Sequence, residues 1–359
     1  MGDKHLFVDI SAHGFGHLAQ VAPVLNALVE RRPQLQITVR SGLPRERLQA
    51  RLAPRFTHLA GNSDFGYVMH DAVNVDRAAT AAAYRRQHTD WPQRVADEAA
   101  LLDSLRPDLV LADVAYLPLA GAAQLGVPAV AMCSLNWAEL FAHFYVRESW
   151  APAIHAQILA AYRSAASFLR LTPAMPMADL PRRRSVGPVA TLGTDRRQAL
   201  RRQLHCGDDE KLLWIGFGGF DRPLPIDRWP VISGYRWLIP QAWACTRADT
   251  VAIETLALPI ADLMASVDAV LTKPGYGMFT EAACNGTAVI FQRRPDWPEQ
   301  HCLIDWLQTN ARCQEVSPED LLAGNLADTL ADLWLRPAPA RPAPSGVQEA
   351  VEILLAWLP

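Results

Sequence analysis

The chain has 359 residues, enough for two domains with a core each. Half of the residues are hydrophobic, 20% are charged and the net charge is −3. This balance gives no whole-protein pull towards nucleic acid or an acidic membrane. Local basic groups, Arg182-Arg183-Arg184 and Arg196-Arg197 with Arg201-Arg202, read as solvated faces near a domain link.

The first apolar run, residues 6–10, is too short for a secretory leader and is interrupted by Asp9. No apolar run is long enough to span a bilayer. The six cysteines show no CxxC spacing, so neither a zinc site nor a disulfide framework is indicated. A reducing cytoplasm is the expected location, and no metal ligand set is expected.

In chain order, residues 6–10 read as a strand, 18–30 as a helix with Val21, Val24, Leu25 and Leu28 on one face, and 35–39 as a second strand. A short helix at 48–52, a strand at 56–59 and one long helical stretch at 84–105 follow. Strands at 109–112 and 129–132 flank a helix at 118–125. Residues 137–162 read as helical, with a break near Pro152. Prolines 173, 176, 181 and 188 mark a domain link near 174–193.

The alternation then restarts, with strands at 212–216, 235–239, 249–253, 269–271 and 289–291 and helices at 260–266 and 301–310. A Pro/Ala-rich spacer at 337–344 leads to an amphipathic helix at 347–358. This order predicts α/β architecture: two Rossmann-like halves with parallel sheets, whose strand-to-helix loops collect ligands at the carboxyl edge. No internal sequence repeat is seen.

Four loops carry candidate chemistry. His13-Gly14-Phe15-Gly16-His17 follows the first strand. Its glycines (Gly14, Gly16) allow a tight turn, and His13 or His17 could serve as a general base. A cap or packing role for one histidine is the alternative. Phe217-Gly218-Gly219-Phe220 follows the first strand of the second half, where Gly218 and Gly219 could open backbone N–H groups to phosphate or sugar.

Lys273-Pro274-Gly275-Tyr276-Gly277 precedes a helix, read as starting near Phe279, with Thr280-Glu281 in its first turn. That helix start would bind a diphosphate and Glu281 the ribose hydroxyls; a tight turn with a dipole-compensating glutamate is the alternative. Glu299-Gln300 could clamp sugar hydroxyls, or simply open a helix. Arg293 and Arg294 lie nearby and admit an acidic sugar or a phosphorylated acceptor. Asp113 follows a strand and could orient a histidine or be structural.

Together these residues resemble the GT-B glycosyltransferases. They are more closely similar to the glycosyltransferase-like N-terminal domain of plant L-arabinokinases and its free-standing bacterial relatives. Ala12 to His17 resembles that family's GHGFGH, and Pro107-Asp108-Leu109-Val110-Leu111-Ala112-Asp113-Val114 its ADLVVSDV. Asn136-Trp137, Arg170-Leu171, Phe217-Gly218-Gly219 and Lys273 to Gly277 also match.

The resemblance implies the GT-B fold: two Rossmann-like domains facing a central cleft, at 1–180 (acceptor side) and 181–340 (nucleotide-sugar side). A C-terminal helix at 341–359 would cross back to the first domain. It implies Glu281 on the ribose, Glu299 and Gln300 on the transferred sugar, and His17 beside the acceptor. No ATP-binding loop is found, so kinase activity is not implied. The expected activity is inverting, metal-independent glycosyl transfer from a nucleoside-diphosphate sugar, a UDP-sugar first, with no further cofactor. Partners are then the nucleotide sugar and an unidentified acceptor, without nucleic acid. A nucleotide-sugar epimerase and a non-catalytic sugar or nucleotide binder are the alternatives.

Overall fold

The computed structural model describes residues 4–53, 55–71, 73–207, 209–217 and 223–358. The chain forms two compact units, Met1–His70 with Val75–Val189 and Pro344–Pro359, and Asp71–Asn74 with Ala190–Ala343.

The first unit is built on β1 (His5–Ile10), β2 (Gln36–Ser41), β3 (Thr57–Ala60), β4 (Leu109–Asp113), β5 (Ala129–Cys133), β6 (Ser167–Leu171) and β7 (Arg183–Val186). They form one parallel sheet in the order β3-β2-β1-β4-β5-β6-β7. Val8 lies opposite Val39 on one side and Leu111 on the other. Strands covered on both faces need near-continuous apolar sequence. Leu6, Phe7, Val8 and Leu109 to Ala112 supply it and are wholly buried.

The second unit repeats the plan with β8 (Lys211–Ile215), β9 (Tyr235–Ile239), β10 (Thr250–Ala252), β11 (Ala269–Thr272), β12 (Ala288–Phe291) and β13 (Cys313–Glu315). Their order is β10-β9-β8-β11-β12-β13, again parallel. Leu213, Ile215, Trp237, Leu271 and Ile290 lie in its core.

Each sheet reverses its winding once, between β1 and β4 and between β8 and β11. Ligands of open α/β sheets bind outside the carboxyl ends of strands at such points. The loops after β1 and β11, and the residue that ends β4, are therefore the places to look.

The helix Gly346–Leu355 packs in the first unit against the helix Phe15–Arg31 and β7. Ala350, Val351 and Leu354 are buried. Arg31 Nη1 donates to Glu352 Oε1 at 2.9 Å, and the Gly187 amide donates to Glu349 Oε2 at 3.0 Å. A Cβ on Gly346 would stand 2.0 Å from the Gly187 carbonyl oxygen, so only glycine allows this approach.

The structure differs from the sequence reading in local detail. The stretch read as one helix at 84–105 is two, Arg77–His88 and Trp91–Leu105. Asp90 precedes the second without a side-chain capping bond, and Pro92 lies in its first turn, where proline starts a helix but does not continue one. The stretch at 137–162 is likewise two helices, Trp137–Tyr145 and Ala151–Ser164. Part of the stretch read as a link is the edge strand β7, whose exposed Arg183-Arg184-Ser185 hides its strand character.

Candidate functional site

In the first unit, β1 ends at Ile10 and the helix Phe15–Arg31 begins after four intervening residues. Gly14 is the residue before that helix, with φ of 102°, a conformation that strains any side chain. The turn sets His17 in the first helical turn, almost buried. Its Nδ1 lies 3.1 Å from one oxygen of Asp113 and 3.4 Å from the other. Asp113 ends β4, the strand beside β1, and is fully buried. Burial raises its carboxyl above the usual range, against the pull of His17. A proton on Nδ1 satisfies the carboxylate and leaves the lone pair on Nε2.

His13 has the opposite arrangement. The Tyr67 amide donates to its Nδ1 at 3.2 Å. An amide N–H can only donate, so Nδ1 carries the lone pair and the neutral ring's proton sits on Nε2. His13 is thus arranged as a donor and His17 as an acceptor at the outer nitrogen. Both rings meet the edge or face of buried Trp137, at 5.7 and 6.0 Å.

Sequence reasoning missed Asp64. Trp137 Nε1 donates to it at 2.8 Å and Ser11 Oγ at 3.1 Å. Burial, then the charge of Asp9, pushes its carboxyl up to about 6. Behind it, Ser63 Oγ donates to Asp9 at 2.7 Å, and Arg40 bridges Asp9 and Glu98. The available signal was Asp9, a charge inside a run otherwise fit for a buried strand, with Arg40 just after the next strand pattern.

His17 Nδ1, an Asp113 oxygen and Cys133 Sγ all lie within 4.8 Å of one another, and Nδ1 is 3.9 Å from Sγ. Tetrahedral Zn²⁺ with bonds of about 2.0–2.3 Å would set such atoms roughly 3.4–3.6 Å apart. These residues could therefore hold a soft divalent ion with small shifts. Such an ion on Nδ1 moves the imidazole proton to Nε2 and removes the acceptor there. Co²⁺ or Cd²⁺ should accordingly give a sulfur-to-metal charge-transfer band that Cys133→Ser abolishes. A band retained in the variant would place the metal elsewhere.

In the second unit, β11 leads through Lys273-Pro274-Gly275 into the helix Tyr276–Asn285. No side chain caps that helix and its first turn carries no acid. Its leading N–H groups keep their positive character. Thr280 is buried and its hydroxyl donates to the Tyr276 carbonyl at 2.9 Å. Glu281 requires a correction. The helix starts at Tyr276, so Glu281 lies beyond the first turn, with only 2% of its surface exposed. The glycine N-cap lets helical geometry begin three residues before the position read from sequence.

Glu299 and Gln300 come together, but both fasten their own loop. Gln300 Oε1 accepts from the Arg294 amide at 2.9 Å while its Nε2 donates to the Arg294 carbonyl. Glu299 accepts from Trp297 Nε1 at 3.0 Å. Burial and the nearby Arg294 charge push the Lys273 ammonium down to about 7. Gly218 and Gly219 lie outside the described residues.

Comparison with known proteins supplies the rest. Solved structures align over the whole chain. The glycosyltransferase of kitacinnamycin has a TM-score of 0.66 at 15% identity, covering 100% of both chains. The chain has the GT-B fold. A second neighbour, LpCGTa in complex with UDP, has a TM-score of 0.62 at 14% identity, covering 99% of each chain. Among curated proteins, the L-arabinokinase of Arabidopsis thaliana is 26% identical over 340 residues. That match takes in 89% of this chain and 31% of the plant protein. No family model matches. Among the described residues, no helix is long and apolar enough to cross a membrane.

Proposed function

We propose that the protein is an inverting glycosyltransferase that takes its sugar from a nucleoside diphosphate, UDP first, without a metal ion. The observation that carries this reading is the His17–Asp113 pair, with Nδ1 turned to the carboxylate. His17 Nε2 takes the proton of an acceptor hydroxyl. The acceptor oxygen forms a bond to the anomeric carbon from the face opposite the diphosphate. The bond from that carbon to the diphosphate oxygen breaks, and the electron pair leaves with the nucleotide. The N–H groups at the start of the helix Tyr276–Asn285, with Lys273, meet the charge that develops there.

UDP as donor nucleotide draws support from the UDP complex of the neighbouring fold. The first unit would then hold the acceptor and the second the donor. Glu281, although inside the helix, remains the residue proposed for the ribose, and Glu299 and Gln300 those that shape the sugar site.

Thermal denaturation with UDP, GDP, dTDP and their sugars tests the donor half. Ligand at about 100 times its dissociation constant should stabilise by about 2.7 kcal/mol. Glu281→Gln, which keeps the side-chain size, should reduce the shift. A protein that responds to none of these nucleotides would overturn the proposal.

A further inference from the structure

Arg293 and Arg294 are neighbours in sequence with opposite fates. Arg293 is half-buried and paired with Glu315 at 2.9 Å. Arg294 is 94% buried, with 6% of its surface exposed. No carboxylate among the described residues lies within ion-pair distance of it, and its Nε has no hydrogen-bond partner. Its guanidinium carbon lies over the Trp297 ring, 4.2 Å from the ring centroid.

A buried guanidinium without a bonded partner is costly, and native chains rarely keep one without use for it. The nearby acids are engaged elsewhere. Glu299 accepts from the Trp297 indole. Asp71 accepts from the amides of Val73 and Asn74 and from the Asn74 side chain. Burial outweighs their attraction and pulls Arg294 down to about 10.

The loop that carries Arg294 is fixed. Gln300 bonds to both main-chain groups of Arg294, so the residue is held at a set position after β12. β12 pairs with β11, and Thr272 lies opposite Phe291. Arg294 therefore sits at the same carboxyl edge as Lys273 and the uncapped start of the helix Tyr276–Asn285. In the donor reading, the helix start and Lys273 serve the diphosphate. Arg294 is a further cation, in the loop whose Glu299 and Gln300 are spent on the protein itself.

We propose that Arg294 is the receptor for a carboxylate on the transferred sugar, so that the donor is a nucleotide uronate. The proposal rests on the donor reading of the second unit. The planar fork of arginine suits a carboxylate, and the low-polarity setting strengthens the pair. Neutral donors would leave the guanidinium unpaired, which is the strongest source of discrimination a buried polar group offers.

The test compares UDP, UDP-glucose and UDP-glucuronate on the full chain, by calorimetry, with wild type, Arg294→Gln and Arg294→Lys. Wild type should bind UDP-glucuronate at least about tenfold more tightly than UDP-glucose, and Arg294→Gln should erase that preference without weakening UDP. Arg294→Lys should keep part of it. Without ligand, Arg294→Gln should be at least as thermostable as wild type, because it removes an unpaired charge. Equal binding of the two sugars by wild type would overturn the proposal. So would an equal loss for all three ligands in Arg294→Gln, which would place the guanidinium on the diphosphate. Failure to bind UDP at all would instead remove the donor reading on which the proposal stands.

Discussion

Replacing Arg40 with alanine should lower the unfolding free energy by about 3–5 kcal/mol, the cost of breaking a buried ion network by removing one partner. Arg40 stands on β2 and is 7% exposed. Its Nε donates to Asp9, and its Nη1 and Nη2 donate to the two oxygens of Glu98 at 2.8 and 2.6 Å. Alanine leaves two carboxylates in an apolar interior with no cation between them. Burial raises the Glu98 carboxyl above its usual range, against the pull of Arg40.

A group whose folded pKa is raised binds more protons folded than unfolded. Its contribution therefore falls as pH rises from the unfolded pKa through the folded one. Loss of Arg40 raises Glu98 further. The deficit of the variant should then grow between pH 5 and pH 8, as urea midpoints of both proteins at each pH would reveal. A loss below ~1 kcal/mol at pH 8 would mean that water or rearrangement replaces the guanidinium, and that the network is dispensable. Changing Arg40, Asp9 and Glu98 together to apolar residues of similar size should cost far less than Arg40→Ala alone.

Asp9 and Arg40 also mark where sequence reading stops. The strands around them were legible from the apolar residues at 6–8 and 10 and from those alternating at 35, 37 and 39. Asp9 looked like an interruption because its partner Arg40 lies 31 positions away, and Glu98 lies 58 positions from Arg40. Glu98 looked like an ordinary polar position on a helix. Its burial depends on which face the helix Trp91–Leu105 turns to the sheet, and that helix was read as part of a longer one.

The same limit held at the candidate site. Glycine spacing and the position after β1 singled out both histidines. The choice between them turns on the Tyr67 amide, 54 residues from His13, and on Asp113, 96 residues from His17. The start of the helix at Tyr276 was misjudged because Pro274 and Gly275 are compatible with several turns. Glu299 and Gln300 were read as a clamp for sugar hydroxyls or a helix start, because a pair of polar side chains says nothing of the main chain they fold back on.

Alanine at His17 should reduce glycosyl transfer by about 10²–10⁴, the usual contribution of a general base. The argument is the tautomer. Asp113 accepts from Nδ1 and so keeps the lone pair on Nε2, where an acceptor hydroxyl can deliver its proton. Asp113→Asn should fall in the same range, since an amide nitrogen facing Nδ1 selects the other tautomer and fills Nε2 with a proton. The two residues act as one unit, so the double variant should be no worse than the weaker single one. His13→Gln should cost less than either, because its Nε2 already carries the proton of a neutral ring. UDP release from a UDP-sugar, with water as acceptor, measures all four variants without knowledge of the natural acceptor. Melting temperatures near wild type would show that each variant folds. If His13→Gln abolished turnover while His17→Ala left it near wild type, the base would be His13, and the His17–Asp113 pair would be a structural contact of the β1–β4 edge.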